Sequence, residues 1–300
     1  MHTAYLGPSG SFTEAALAGL GIPPEQALPY PGVQEALEAA RTGAADAAVV
    51  PWENSVEGVV TATVDALVDR AELSITGETL LRVEFALAAP PGGSLASVRR
   101  VLTHPHAHAQ CRGWLAEHLP HAEFLPAGST AQAARTVAEA GSGDLAAIAS
   151  PTTVTGYGLD LLARGIGARP DAVTRFVRVS RGRAVPVPTG ADRSTLVVPL
   201  AGRIGELNAV LDEFSRTGTR LTSVLSRPTG DGLGRYSFLL ECEGHITQPA
   251  VLTTVAALRR RVETTLFLGS YPRAHRPLPP PAPRGTRGTT SLPLLPSRRS

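Results

Sequence analysis

Two stretches carry the reading of the fold: Ala44-Ala45-Asp46-Ala47-Ala48-Val49-Val50-Pro51 and Gly143-Asp144-Leu145-Ala146-Ala147-Ile148-Ala149-Ser150-Pro151. Each is a short buried-strand pattern that follows a helical pattern and is stopped by proline. Two similar lobes facing a cleft produce such an echo. So do two unrelated strands in an alanine-rich chain. Around them, residues 1–188 alternate short apolar strands with helices, which is the pattern of an α/β domain.

Residues 192–272 read as a separate unit of about 80 residues. A strand is expected over 194–199, then a helix with Leu207, Val210, Leu211 and Phe214 on one face. Gly218 ends that helix. Strands over 221–225 and 236–241 flank a glycine-rich turn at 229–234. A second helix carries Val251, Val255, Leu258 and Val262, and 264–268 closes the set. The order is βαββαβ, a ferredoxin-like unit. The remainder, 274–300, holds seven prolines and no periodic pattern, and is expected to be disordered.

The 28 basic residues are all arginine. Without lysine there is no Schiff-base chemistry and no phosphate-loop lysine. Any bound anion must meet arginine, hydroxyls or backbone N–H groups. The formal charge of +2 misleads, because five arginines and no acid fall in 274–300; residues 1–273 hold 23 arginines against 26 acids, a balance of −3. A nucleic-acid partner is therefore not indicated. Cys111 and Cys242 are far apart, so a reducing compartment is expected. No apolar run is long enough for a membrane span and the first residues carry no secretory pattern, which reads as cytoplasmic.

Three strand-to-helix junctions are rich in hydroxyls: residues 7–14, 51–58 and 128–132. In the first, Ser11 with Glu14 fits a capping box; in the third, Ser129 with Gln132 does. Helix N-termini present unpaired N–H groups and suit carboxylates or phosphates. The simpler reading is that such residues only cap helices. His104 and His108 stand four apart, as a metal pair on a helix does, but no acidic or cysteine partner lies at ligand spacing, so no metal is expected. No Gly-x-Ser-x-Gly and no dinucleotide fingerprint is present.

In combination these segments resemble the prephenate dehydratase family with its C-terminal ACT regulatory domain. The resemblance covers 3–272. It rests on Tyr5-Leu6-Gly7-Pro8 with Gly10-Ser11-Phe12, on Val50-Pro51-Trp52-Glu53-Asn54-Ser55, and on Thr103-His104-Pro105 with Ala109-Gln110-Cys111. Ser129-Thr130-Ala131, Thr174-Arg175-Phe176, Ser226-Arg227-Pro228 and Leu268-Gly269-Ser270-Tyr271-Pro272 follow in order. It implies a two-lobed catalytic domain over 1–188, like type II periplasmic binding proteins, and an ACT domain over 192–272. The lobes would be about 1–77 with 175–188, and 78–174, with Thr174-Arg175-Phe176 at the crossing.

The resemblance implies conversion of prephenate to phenylpyruvate, with loss of water and carbon dioxide, in phenylalanine synthesis. It assigns Thr174 as the proton donor to the departing hydroxyl. Asn54, Ser55, Ser129, Thr130, Arg175, Phe176 and Ser11 would bind substrate, with Arg175 either gripping a carboxylate or holding the hinge, and no cofactor is required. Gly205, Leu207, Ser226, Arg227 and Pro228 would form a regulatory site for L-phenylalanine, in a homodimer or homotetramer. The family pattern is broken in places. Ala172 stands where asparagine is common, Leu225 where glutamate is usual before Ser226, and Arg220 where asparagine is common. Two other functions remain open. One is an arogenate dehydratase, for which Glu53 or Glu57 would meet the substrate amine. The other is a non-catalytic amino-acid sensor of the same architecture.

Overall fold

The computed structural model describes residues 1–69, 72–182, 185–229, 235–262, 264–275 and 277–279. The first lobe runs β1 (Thr3–Leu6), α1 (Phe12–Leu17), β2 (Ala27–Tyr30), α2 (Val33–Thr42), β3 (Ala47–Asn54), β4 (Gly58–Val59), α3 (Thr61–Val68) and β5 (Leu73–Arg82). The second runs β6 (Ala86–Ala89), β7 (Arg100–Thr103), α4 (Pro105–His118), β8 (Glu123–Pro126), α5 (Thr130–Ala140), β9 (Leu145–Ala149), α6 (Pro151–Gly156) and β10 (Asp160–Arg164). The chain then returns to the first lobe as β11 (Val173–Arg181).

Sheet order explains the sequence echo. The first sheet is β2-β1-β3-β11-β5 and the second β10-β6-β9-β7-β8. β3 and β9, the two echoing strands, are each central and paired in parallel with a neighbour. In both, alanines face helices. On α2, Ala36, Leu37, Ala39 and Ala40 are buried, so the helix lies close on β3. On α5, Ala131, Ala133, Ala134 and Val137 do the same against β9. Small residues shorten the helix-to-sheet distance without leaving voids.

The crossings lie outside the expected boundaries. β5 stays in the first sheet up to Arg82, and β11 re-enters it at Val173. Thr174, Arg175 and Phe176 are therefore inside a sheet strand, paired to β3 and β5 on both sides, and are not linker residues.

The third unit is β12 (Asp192–Leu200), α7 (Glu206–Thr217), β13 (Leu221–Pro228), β14 (Tyr236–Glu243), α8 (Pro249–Arg261) and β15 (Leu266–Pro272). Its antiparallel sheet has the order β13-β14-β12-β15. Both helices cover one face, where Leu196, Val198, Leu240, Val210, Phe214, Val255 and Leu258 pack. Val197, Leu239, Leu268 and Tyr271 face the other way and share a core with Leu73, Ile75, Val177 and Val179 of the first lobe. Backbones approach closely there. Gly269 has φ +143°, and a Cβ on it would stand 2.3 Å from the Ile75 carbonyl oxygen, so only glycine fits. Much of the turn expected at 229–234 lies outside the described residues.

The chain does not leave the fold at residue 274. Ala274 N donates to Glu78, and Leu278 exchanges backbone bonds with Leu80 and Arg82, covering the free edge of β5. The expectation of disorder from 274 onward fails for these residues. Residues 280–300 lie outside those described. Among the described residues no helix is long and apolar enough to cross a membrane.

Candidate active site

The cleft is built where strands of both lobes end. On the first lobe these are the turns after β1 and β3. Ser11 caps α1, accepting from Glu14 N at 3.2 Å and donating to the Leu6 carbonyl at 3.0 Å. Its hydroxyl is thus committed to the turn. Glu14 reaches back to Ser9, Gly10 and Tyr5. Burial and this carboxylate push the Tyr5 phenol up to about 12. On the second lobe Ser129 caps α5, accepting from Gln132 N at 3.0 Å, while Gln132 Oε1 accepts from Gly128 N at 3.1 Å. Both serines therefore cap helices as expected. Thr130 begins α5 beside Ser129.

Asn54 and Thr174, 120 residues apart, become direct partners because β3 and β11 pair antiparallel with those two residues opposite each other. Asn54 Nδ2 donates to Thr174 Oγ1 at 2.9 Å. Asn54 Oδ1 accepts from Val56 N at 2.8 Å and Glu57 N at 3.3 Å, which fixes which end of the amide faces the threonine. With its oxygen accepting, the Thr174 hydroxyl keeps its own proton to donate elsewhere. Ser55 clasps the start of β11: its Oγ accepts from Val173 N at 3.0 Å and its N donates to the Val173 carbonyl at 2.9 Å.

Arg175 and Phe176 do not join this pair. Phe176 is buried with Tyr5, Leu17, Val49 and Leu81 beneath α1, as core. Arg175 points to the opposite face of the sheet, toward the third unit. Its Nη1 donates to Glu78 Oε2 at 3.1 Å, and its Nη2 to Glu241 at 2.9 and 2.7 Å. Glu53 Oε2 lies 3.2 Å away, and the guanidinium sits 5.8 Å from the Trp52 ring centre. Strand alternation is the cause: neighbours on a strand face opposite sides. The expected role of Arg175 in holding substrate is corrected accordingly. Burial works against its charge, but Glu241, Tyr271 and Glu78 outweigh burial and keep it protonated. Burial lifts the Glu78 carboxyl to about 7 in spite of Arg175.

Side-chain hydrogen bonds join the two lobes at two places. Thr153 donates to the Gly10 carbonyl, and Tyr157 OH to the Ser9 carbonyl at 3.2 Å. On the other side Glu57 holds Gln110 Nε2 at 2.7 Å and pairs with His106 Nδ1. Glu53 and Glu57 are thus both engaged. A cavity of about 410 Å³ lies between the lobes, lined by Gly7, Pro8, Tyr30, Ser129, Gln132 and Arg135 among others. Asn54 and Thr174 are not part of its lining, so the expected site residues fall into two groups. The histidines are placed for structure: His104 Nδ1 accepts from His106 N, and His108 stacks on Phe124 at 3.9 Å. Burial pushes the Cys111 thiol up to about 12, which leaves it unreactive at neutral pH.

Of the expected regulatory residues, Gly205 takes a left-handed conformation at the start of α7, with φ +83°. Arg227 is turned toward the first lobe, donating to Asp65 of α3 at 3.1 and 2.6 Å. That corrects its expected availability to a ligand. Leu225, on the same side of β13, packs against the shared core. Residues missed from sequence are Glu78, Glu241, His106 and Gln110. A carboxylate inside an apolar strand, as in Leu239-Leu240-Glu241-Cys242, was the available signal, since a buried charge needs a partner.

The fold and cleft define a two-lobed α/β domain followed by a ferredoxin-like βαββαβ unit. The family model for prephenate dehydratase matches residues 3–184. The chain belongs to the prephenate dehydratase family. It is 44% identical over 283 residues to the prephenate dehydratase of Mycolicibacterium vanbaalenii, covering 90% of each. It is also similar to the crystal structure of prephenate dehydratase from Arthrobacter aurescens in complex with L-Phe, with 46% identity and a TM-score of 0.84, covering 91% of this chain and 90% of that one. A solved protein described as a novel type of quorum quenching acylase, GqqA, is 31% identical with a TM-score of 0.80, covering 91% of this chain and 98% of that one.

Proposed function

We propose that the chain converts prephenate to phenylpyruvate, with Thr174 as the proton donor. The carrying observation is the hydrogen bond from Asn54 Nδ2 to Thr174 Oγ1. As the ring carboxylate leaves as carbon dioxide, its electrons move toward the carbon that bears the hydroxyl. That hydroxyl departs as water once protonated. Thr174 supplies the proton, and the Asn54 amide stabilises the charge that develops on its oxygen. Aromatisation drives the step.

Placing Arg175 on the back of the strand fits this chemistry. A cationic clamp on the departing carboxylate would stabilise the ground state and slow its loss. The side-chain carboxylate is met instead by the N-terminus of α5 with Ser129 and Thr130, and by Arg135, which lines the interlobe cavity. Glu53 and Glu57, which would favour the amine of arogenate, are held by Arg175 and by His106 with Gln110. That weighs for prephenate. Side-by-side kcat/KM values for both substrates, read from phenylpyruvate absorbance and phenylalanine release, test the assignment; a chain that turns over neither is a sensor.

The third unit is read as an ACT domain that binds L-phenylalanine, supported by the L-Phe complex of the Arthrobacter relative. With Leu225 turned into the core and Arg227 held by Asp65, the site departs from the family pattern. β13 ends the sheet, and pairing there would build a dimer. Calorimetry with L-phenylalanine tests effector binding, and light scattering tests the assembly. No heat at millimolar ligand would remove the regulatory reading.

A further inference from the structure

The third unit is tied to Arg175, the residue next to Thr174. Arg175 is 4% exposed, and Glu241 of β14 is 2% exposed. One Arg175 nitrogen donates to both Glu241 oxygens, at 2.9 and 2.7 Å. Glu241 is in turn fixed from behind by Arg193 at 3.2 Å and Thr195 at 3.4 Å, both on β12. Glu78 closes the cluster, accepting from Arg175 and from Ala274 N. Charge-assisted bonds in a buried setting are short and directional, so this joint is stiff.

The joint sits beside an irregularity in the ladder between β11 and β3. Between Arg175 and Phe176 the pairing to β3 shifts: Arg175 lies opposite Glu53 but Phe176 opposite Pro51, leaving Trp52 as an extra residue. A bulge interrupts the ladder and re-aims the side chains beyond it. The pair Thr174 and Asn54 is the second rung past that bulge. The ladder to β5 runs unbroken from Val173 to Arg178, so the irregularity lies on the β3 side alone, the side that sets Thr174 against Asn54. Arg175 and Glu53, the rung between, are both turned backward and both meet at the Arg175 guanidinium.

We propose that Glu241 is a positioning residue for the reaction: through Arg175 it sets the register and tilt of the strand that presents Thr174 to Asn54. The inference rests on the reading of Thr174 as proton donor. It also gives the third unit a route to the cleft, because β14 carries Glu241 and pairs with β13, where Ser226 and Pro228 lie.

The test is steady-state kinetics of the full chain on prephenate, with melting curves for each variant. Glu241→Gln keeps the size and loses the charge. The expected result is a kcat lowered about 10-fold, up to about 100-fold, with KM within about twofold, the signature of a displaced reacting group in a site that still binds. Glu243→Gln, two residues along β14 and paired with Arg273 and Arg220, serves as the control and keeps wild-type constants. A Glu241→Gln protein with lowered melting temperature but unchanged kcat overturns the proposal, as does a rise in KM alone. If Glu241→Gln does not fold, Glu241→Asp, which keeps the charge and shortens the reach, is read by the same split. Thr174→Ala is measured alongside. Wild-type kcat there removes the donor reading itself, whereas an impaired Thr174→Ala beside a fully active Glu241→Gln removes only the role of Glu241.

Discussion

The two faces of β11 put neighbouring residues in opposite conditions. On the cleft face Thr174 receives a hydrogen bond from Asn54 and keeps its proton. On the back face Arg175 is enclosed by Glu78, Glu241, Glu53 and the Trp52 ring. The lesson is that one motif divides into the proposed proton donor and a structural residue, and the strand's two-residue period makes the division. A donor must be free to move a proton, whereas a guanidinium out of water must be fully paired.

The sharpest way to break this contrast is at the back. Arg175→Met leaves Glu78 and Glu241 buried with Arg193 as the remaining arginine, and is expected to cost about 3–5 kcal/mol of stability in urea unfolding. A loss under about 1 kcal/mol would make the back face no more demanding than a surface. Next comes the front. Thr174→Ala is expected to lower kcat roughly 10²-fold, with stability changed by less than about 1 kcal/mol. Phenylpyruvate formation and a melting curve on the same sample read both. Asn54→Ala removes the donor but not the proton, so kcat is expected to fall about tenfold, the scale of one hydrogen bond. Equal losses at the two positions would mean that Asn54 does more than polarise the threonine. The smallest effect is expected at the interlobe contact. Glu57→Gln weakens a half-exposed pairing worth no more than about 1 kcal/mol, seen as a KM raised by less than about fivefold at constant kcat.

Much of this was legible before the fold was known. The βαββαβ order follows from apolar spacing, and its helices begin and end near the expected residues. Capping by Ser11 and Ser129 follows from local chemistry, since a cap and its partner lie within one turn. Ser55, Asn54 and Thr174 were named through family motifs, yet nothing local says that they touch. That depends on β3 and β11 pairing in one register across more than a hundred residues. Of the two readings of Arg175, a carboxylate grip and a structural hold at the crossing, the structure favours the second, because a motif reads as a unit in sequence while a strand splits it between faces. Phe176 was misassigned for a related reason: it shares the face of Thr174 but lies deeper, under α1.

The linear chain, with its arginine-only basic residues, echoing alanine-rich strands and ordered motifs, settled the family and the kinds of group available to chemistry. These depend on residue type and near spacing, which sequence carries directly. The assembled structure decided which groups are spent and which remain. It turned Arg175 and Arg227 away to carboxylates of neighbouring units, engaged Glu53 and Glu57, and set Asn54 on Thr174. Those outcomes follow from the requirement that buried charge find a partner, and the partner comes from wherever the fold brings one near.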